Sequence, residues 1–248
     1  MLLVAAATRQ ELAAVLGDAV PARQGGAVEL EVSGRRVLAL VTGVGMLNAA
    51  LETGRILASR GDVSGVLNVG VAGSLDVAAH PVGCVRVVET EIWPEYGLLA
   101  HGAVAADARA LRFSLDGSAP DAAAAVFDTL AWDAGAELAA MGLDPAAGAT
   151  RAQALTVSGV TADAARAGAL RERFGPCLEN MEGFAMAYAA RRARLPFAEL
   201  RAVSNPTGAR PPRNWNLPGA FAALGAAVRG LLAPDRRERQ QPGCGWTG

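Results

Sequence analysis

Val66-Leu67-Asn68-Val69-Gly70-Val71-Ala72-Gly73-Ser74 is a short, β-branched, largely apolar run that closes on two small-residue steps. A run of this kind reads as a strand buried on both faces. Its glycines permit either a sharp bend or the close approach of a ligand. Similar runs occur at Leu2 to Ala6, Val37 to Val41, Val85 to Val88, Ala154 to Val157 and Leu200 to Val203. Helical stretches alternate with them. Leu47 to Ser59 follows a Gly-rich turn, Ala162 to Phe174 ends at Gly175-Pro176, Gly183 to Arg194 stops before Pro196, and Pro218 to Leu232 opens on proline. The alternation predicts an α/β fold, a mostly parallel sheet flanked by helices. Val28 to Val32 and Arg36 to Leu40, joined around Ser33-Gly34, predict a hairpin near one edge. Residues 101 to 150 are alanine-rich and weakly patterned, and read as a helical excursion with loops.

Composition narrows the class of function. A chain of 248 residues that is 52% apolar can bury a sizeable core, and we take residues 1 to 233 as one domain. The tail 234 to 248 mixes charge, Gln-Gln and Gly/Pro with little to bury, and is expected to be disordered. With 19% charged residues and a formal net charge of -1, no footprint for nucleic acid or an anionic membrane is visible, so a small-molecule partner is expected. Cys84, Cys177 and Cys244 are too widely spaced for a CxxC pair and odd in number for a disulfide framework, which suits a reducing cytoplasm. The chain opens on an apolar strand rather than on a secretory leader, and no stretch has the length of a membrane span. No metal-ligand spacing is present, and neither a metal nor a cofactor is expected.

Several residues are candidates for chemistry. Thr8-Arg9-Gln10-Glu11 has the form of a capping box, yet it follows the first strand, where open α/β sheets gather their ligands. Gly43-Val44-Gly45 precedes a helix carrying Asn48, so it is either a tight turn or a set of exposed backbone amides. Met181-Glu182-Gly183 starts a helix, where an acidic residue is favoured by the dipole. Glu182 could equally accept hydrogen bonds from two ribose hydroxyls while Met181 packs on the sugar. Ser204-Asn205-Pro206 favours a turn, and Asn205 offers a neutral amide to the N7 edge of a purine.

Taken in chain order, Glu11, Gly43-Val44-Gly45-Met46-Leu47-Asn48, Gly70-Val71-Ala72-Gly73, Met181-Glu182-Gly183 and Ser204-Asn205 resemble the nucleoside phosphorylase and nucleosidase superfamily over roughly residues 2 to 232. The resemblance implies a three-layer α/β/α fold with a central mixed, mostly parallel sheet. It implies Glu11 as general base for water, Asn205 at the leaving purine, and Gly73, Met181, Glu182 and Ser204 around the nucleoside. It also implies a homodimer or higher homo-oligomer, with Trp93-Pro94-Glu95-Tyr96 as the candidate contact. Two positions depart from the adenine-releasing nucleosidases of the superfamily, which typically carry serine at Val71 and aspartate at Asn205. An amide cannot protonate N7, and this suits a 6-oxopurine, which leaves more readily as an anion. Residues 204 to 218 are similar to a branch whose substrate carries a benzoate-bearing group at its 5' end. Trp93 or Trp215 would then wall that group, and Arg213 or Arg210 would bind its carboxylate. The alternatives are release of adenine, a phosphorylase in which Arg9 meets phosphate, and a catalytically silent binding protein.

Overall fold

The computed structural model describes residues 1–144, 150–209 and 215–233. The Arg210 and Arg213 assignments and the disordered-tail expectation therefore lie outside the described residues.

Nine strands and seven helices occur among the described residues. Strand β1 (Leu2–Ala6) lies between β3 (Arg35–Val41) and β4 (Gly65–Ser74), parallel to both, and β2 (Ala27–Val32) pairs antiparallel with β3 at the sheet edge. The β2–β3 hairpin turns at Ser33 and Gly34, both at positive φ, as its turn residues predict. Beyond β4 the sheet continues through β8 (Leu178–Asn180), β7 (Thr150–Thr156), β5 (Val85–Ile92) and β6 (Thr129–Ala131). Strand β9 (Phe197–Pro206) then pairs parallel with β4 and antiparallel with β5. Strands β4, β8, β7, β5 and β9 thus close a ring at one end of an otherwise open sheet.

Alternation along β1 explains the layers. Leu2, Val4 and Ala6 face a core shared with α1 (Arg9–Leu16) and α7 (Leu217–Leu232), whereas Leu3 and Ala5 face one shared with α2 (Met46–Ser59) and α6 (Gly183–Ala193). Because both faces are covered, the strands read as continuous apolar runs, and the three-layer α/β/α arrangement follows.

The stretch from 101 to 150 departs from the expected helical excursion. Its described helices are α3 (Ala108–Leu111) and α4 (Ala134–Ala140), and the strand β6 is added between them. Asp107 and Asp133 cap the two helices, and each buries only a narrow face, Ala108 in α3 and Ala134 with Leu138 in α4. The helix expected from Ala162 is α5 (Ala164–Phe174), because the Asp163 side chain accepts from Arg166 N and so caps it.

Candidate active site

The carboxyl ends of β1, β4, β8 and β9 converge on a cavity of about 230 Å³ lined by Glu11, Gly73, Met181, Glu182, Ser204, Asn205 and Trp215. Glu179, Asn180 and Val160 also line it. Of the sequence-derived candidates, Glu11, Gly73, Met181, Glu182, Ser204, Asn205 and Trp215 reach this one site, whereas Trp93 and Arg9 do not.

Glu11 completes the capping box and also lines the cavity. Its Oε2 accepts from Thr8 N at 3.0 Å and Thr8 Oγ1 at 2.7 Å, completing the capping box of α1, while Oε1 accepts from Val71 N at 3.0 Å. Three donors fix a carboxylate that is only 5% exposed. Gly70 makes the approach possible, since a Cβ there would lie 3.0 Å from Glu11 Oε1 and collide with Arg201.

Glu182 stands at the start of α6 but makes no side-chain cap bond. Its Oε1 instead accepts from Gly45 N at 2.9 Å, and its Oε2 lies 3.7 Å from Arg201 Nη1. Gly43 and Gly45 adopt positive φ, so the turn before α2 needs its glycines. The amide of Gly45 is used by the protein's own carboxylate. Burial pushes the Glu182 carboxyl up, and the neighbouring Arg201 and Gly45 N–H pull it back.

Beneath these residues lies a buried polar layer that sequence reading left unassigned. Arg201, 1% exposed, donates from Nε to Glu199 Oε1 at 2.6 Å and from Nη2 to Asn180 Oδ1 at 3.3 Å. Burial alone would lower its affinity for a proton, but Glu199 and Glu182 outweigh that and raise it. Asn180 Oδ1 also accepts from Glu182 N and Gly183 N, while Nδ2 donates to Glu91 Oε1 at 2.6 Å. Glu91 receives Thr156 Oγ1 as well. Burial first, and then the charge of Glu199, pushes the Glu91 carboxyl well above its ordinary range. The signal available in the sequence was Glu199-Leu200-Arg201, two opposite charges at i and i+2 in an apolar strand and thus on one face.

At the base end, β9 skips a residue. Ala72 pairs with Val203 and Gly73 with Asn205, so a bulge at Ser204 turns Asn205 into the cavity. Asn205 Nδ2 donates to Pro206 O at 2.9 Å and Ser204 Oγ donates to Asn205 Oδ1 at 2.7 Å. A carbonyl can only accept, so these contacts fix the orientation of the amide.

A second, apolar chamber of about 680 Å³ adjoins the first, and Val44 and Met181 line both. Trp93, Phe184 and Tyr188 form much of its wall. The alternatives for an apolar wall separate here: Trp93 lines the larger chamber and Trp215 the nucleoside-sized cavity. Arg9 does not line either space; its guanidinium donates to Asp18 O at 3.1 Å. Among the described residues no group of three His, Cys, Asp or Glu could hold a metal ion, and no helix is long and apolar enough to cross a membrane.

A doubly covered α/β sheet that brings three buried carboxylates and a fixed amide to one cavity suits the nucleoside-cleaving class of protein. The chain belongs to the phosphorylase superfamily, whose family model matches residues 3–230. Within it the chain is similar to the futalosine hydrolase of Thermus thermophilus, 35% identical over 213 residues that span 82% of this chain and 84% of that one. It is also similar to the futalosine hydrolase of Streptomyces coelicolor, 52% identical over 90 residues, 36% of this chain and 38% of the relative. In fold it matches a 5'-methylthioadenosine/S-adenosylhomocysteine nucleosidase from Colwellia psychrerythraea in complex with adenine, with a TM-score of 0.67, 23% identity and 93% and 92% of the two chains covered. The futalosine hydrolase structure of Helicobacter pylori matches with a TM-score of 0.61 at 18% identity over 93% of each chain.

Proposed function

We propose that the chain is a futalosine hydrolase that cleaves the N-glycosidic bond of its substrate with water and releases hypoxanthine, a step of menaquinone biosynthesis. The observation that carries this reading is the convergence of Glu11, Glu182 and Asn205 on one 230 Å³ cavity, in a chain 35% identical to a futalosine hydrolase over most of its length.

The site divides the work as follows. Glu182 accepts the ribose hydroxyls and Met181 packs against the sugar. Glu11, held by Thr8 and Val71 N, takes a proton from water as its oxygen bonds to the anomeric carbon. The carbon–nitrogen bond breaks with its electron pair passing to the purine, whose N7 edge meets a hydrogen bond from Asn205. An amide gives no proton to the base, so the leaving group must bear the pair as an anion, and a 6-oxopurine does so more readily than adenine. Holding water and sugar in place can contribute roughly 7 to 11 kcal/mol of barrier reduction. The 5' substituent occupies the apolar chamber beside Trp93. A phosphorylase would need a cation for its anionic nucleophile, and Arg9 is turned to Asp18 while Glu11 would repel phosphate.

Val44 and Leu47, which line the chamber, and Leu51 one turn further along α2 are 52%, 87% and 66% exposed. A contiguous apolar rim of this kind suits an interface, and a second copy of the chain is its occupant in this reading. Sedimentation of Leu47→Glu against the parent chain tests it: a smaller species is expected, and an unchanged one removes this face from the interface.

The function itself is tested by incubating the protein separately with futalosine, methylthioadenosine and inosine and identifying the free base. Hypoxanthine from futalosine is expected; adenine from methylthioadenosine as the dominant product would overturn the assignment.

A further inference from the structure

Helix α6 begins without a cap of its own. Glu182, its N-cap residue, makes no side-chain cap bond, and the first N–H groups of the helix are held instead by two side chains from the sheet. Asn180 Oδ1 on β8 accepts from Glu182 N at 2.9 Å and from Gly183 N at 2.7 Å. Thr156 Oγ1 on β7 accepts from Phe184 N at 2.8 Å. Thr156 and Asn180 are partners in the parallel pairing of β7 and β8, so both side chains rise from the same face of the sheet.

One carboxyl holds both of them. Asn180 Nδ2 donates to Glu91 Oε1 at 2.6 Å, and Thr156 Oγ1 lies 2.6 Å from Glu91 Oε2 in a second hydrogen bond. Glu91 reaches them because β5 skips a residue against β7. Val88 pairs with Ala152 and Thr90 with Gln153, so a bulge at Glu89 brings Glu91 opposite Ala154, two residues from Thr156 on the same face. An unbroken register would bring Thr90 there and turn Glu91 to the other face. The helix sits directly on this group, since a Cβ on Gly183 would run into Glu91 Oε1 and Glu199 Oε1. Glu91 is fully buried and lines neither chamber, so it is out of reach of a bound nucleoside. A carboxyl buried so deeply is costly, and a helix start alone needs no more than a serine or aspartate at its N-cap. What the arrangement adds is orientation. The amide of Asn180 could stand either way round, and Glu91 Oε1 takes its NH2 end, which leaves Oδ1 turned to the helix.

We infer that Glu91 is a positioning residue for the ribose: by orienting Asn180 and Thr156 it fixes the backbone N–H groups of residues 182 to 184, and through them the direction in which Glu182 presents its carboxylate to the two ribose hydroxyls. The inference rests on the proposed function and extends it to a residue that the substrate does not touch. Glu182 moves with the first turn of α6, while its carboxylate is tethered at the far side by Gly45 N at 2.9 Å from Oε1. A helix start released from Asn180 and Thr156 would shift between those two holds and carry the carboxylate off the sugar. A misplacement of about 1 Å at a positioned group can cost on the order of a hundredfold in rate. The loss falls on the contact with the hydroxyls, so it must appear as a loss of discrimination between sugars.

The test compares kcat/KM for futalosine and for its 2'-deoxy counterpart in the full-length parent, in Glu91→Gln and in Glu91→Met. The parent is expected to favour the ribosyl substrate by at least about a hundredfold, because a missing hydroxyl leaves the buried Glu182 unpaired. Glu91→Gln, whose amide oxygen can take Asn180 Nδ2 and whose NH2 can meet Thr156 Oγ1, is expected to keep that preference within about threefold. Glu91→Met removes both contacts and is expected to bring the two substrates within about tenfold, with the rate lost on the ribosyl one. A methionine variant that loses rate equally on both substrates and keeps the parental preference overturns the inference, since a merely structural role would do that. Failure of the parent to cleave futalosine overturns the proposed function on which the inference rests. Thr156→Val, close to the parent in shape, covers a methionine variant that does not fold: it removes the acceptor for Phe184 N and is expected to lower the ribose preference by at least about fivefold, and an unchanged preference overturns the inference.

Discussion

Glu11 carries a structural role and, in the proposed reaction, a chemical one on the same carboxylate. Oε2 closes the capping box of α1 through Thr8, and Oε1 is pinned by Val71 N. A motif that reads as simple helix capping therefore also delivers an immobilised carboxylate to the end of β1, and no feature of Thr8-Arg9-Gln10-Glu11 alone distinguishes capping from the proposed role as base. Glu11→Gln keeps the shape and removes the basicity. Its kcat is expected to fall by about 10² to 10⁴ with little change in substrate affinity, measured by steady-state hydrolysis and by titration with a non-cleavable analogue. A near-parental kcat would remove Glu11 from the reaction. Glu182 and Asn205 were legible because each sits at a chain position that makes a turn or a helix start, where polar side chains point outward from strand ends. Glu179 was harder to read. Its neighbours Leu178 and Asn180 belong to a strand of three residues, too short for any period, and its partner Thr161 is distant in sequence.

At the scale of elements, the site depends on how closely β9 and α1 can approach β4. Strand β4 supplies Gly70 and Gly73, and these two positions are where Arg201 with Glu11, and Asn205 with Thr207, come nearest its backbone. The glycines in Val66 to Ser74 thus serve close approach within the protein at Gly70 and at Gly73. Gly70→Ala should force Arg201 and Glu11 apart in a region with no slack. We expect a loss of about 1 to 3 kcal/mol in stability and a fall in kcat larger than the rise in KM, checked by denaturant melts and kinetics on the same preparation. Long strands with apolar runs and the helices between them were evident from patterning. The three-residue strands β6 and β8 were not, because their pairing comes from neighbours in space: β8 is held by β4 and β7, and β6 by β5. The closing of β9 onto β5 has no local signature either, since antiparallel and parallel partners impose the same apolar run on a strand buried on both faces.

For the whole molecule, a buried charge layer joins the two ends of the site to the stability of the fold. Arg201 ties Glu199, Asn180 and Glu182 together, while Glu91 and Glu199 crowd against the same helix start at Gly183. Burial, then Glu199, holds the Glu91 carboxyl protonated well above the ordinary carboxylate range. The folded chain therefore keeps a proton that the unfolded chain releases near the usual value. That contribution is complete below the unfolded value, and it declines as pH rises through the folded one, by about 1.4 kcal/mol per pH unit for one proton. Glu91→Gln mimics the protonated form and should flatten this dependence, so its thermal midpoint should gain on the parent's as pH is raised from about 5 to 9. A constant difference between the two curves would show that Glu91 is already ionised in the fold.

In the proposed reaction water, activated by Glu11, replaces the base on a futalosine-type nucleoside. The most direct measurement is turnover of futalosine across a phosphate series starting from none, with the sugar product weighed by mass spectrometry. Hypoxanthine release at a rate independent of phosphate is expected, with a free hydroxyl at the anomeric carbon of the sugar. Turnover that requires phosphate, with a sugar product heavier by a phosphoryl group, would contradict it.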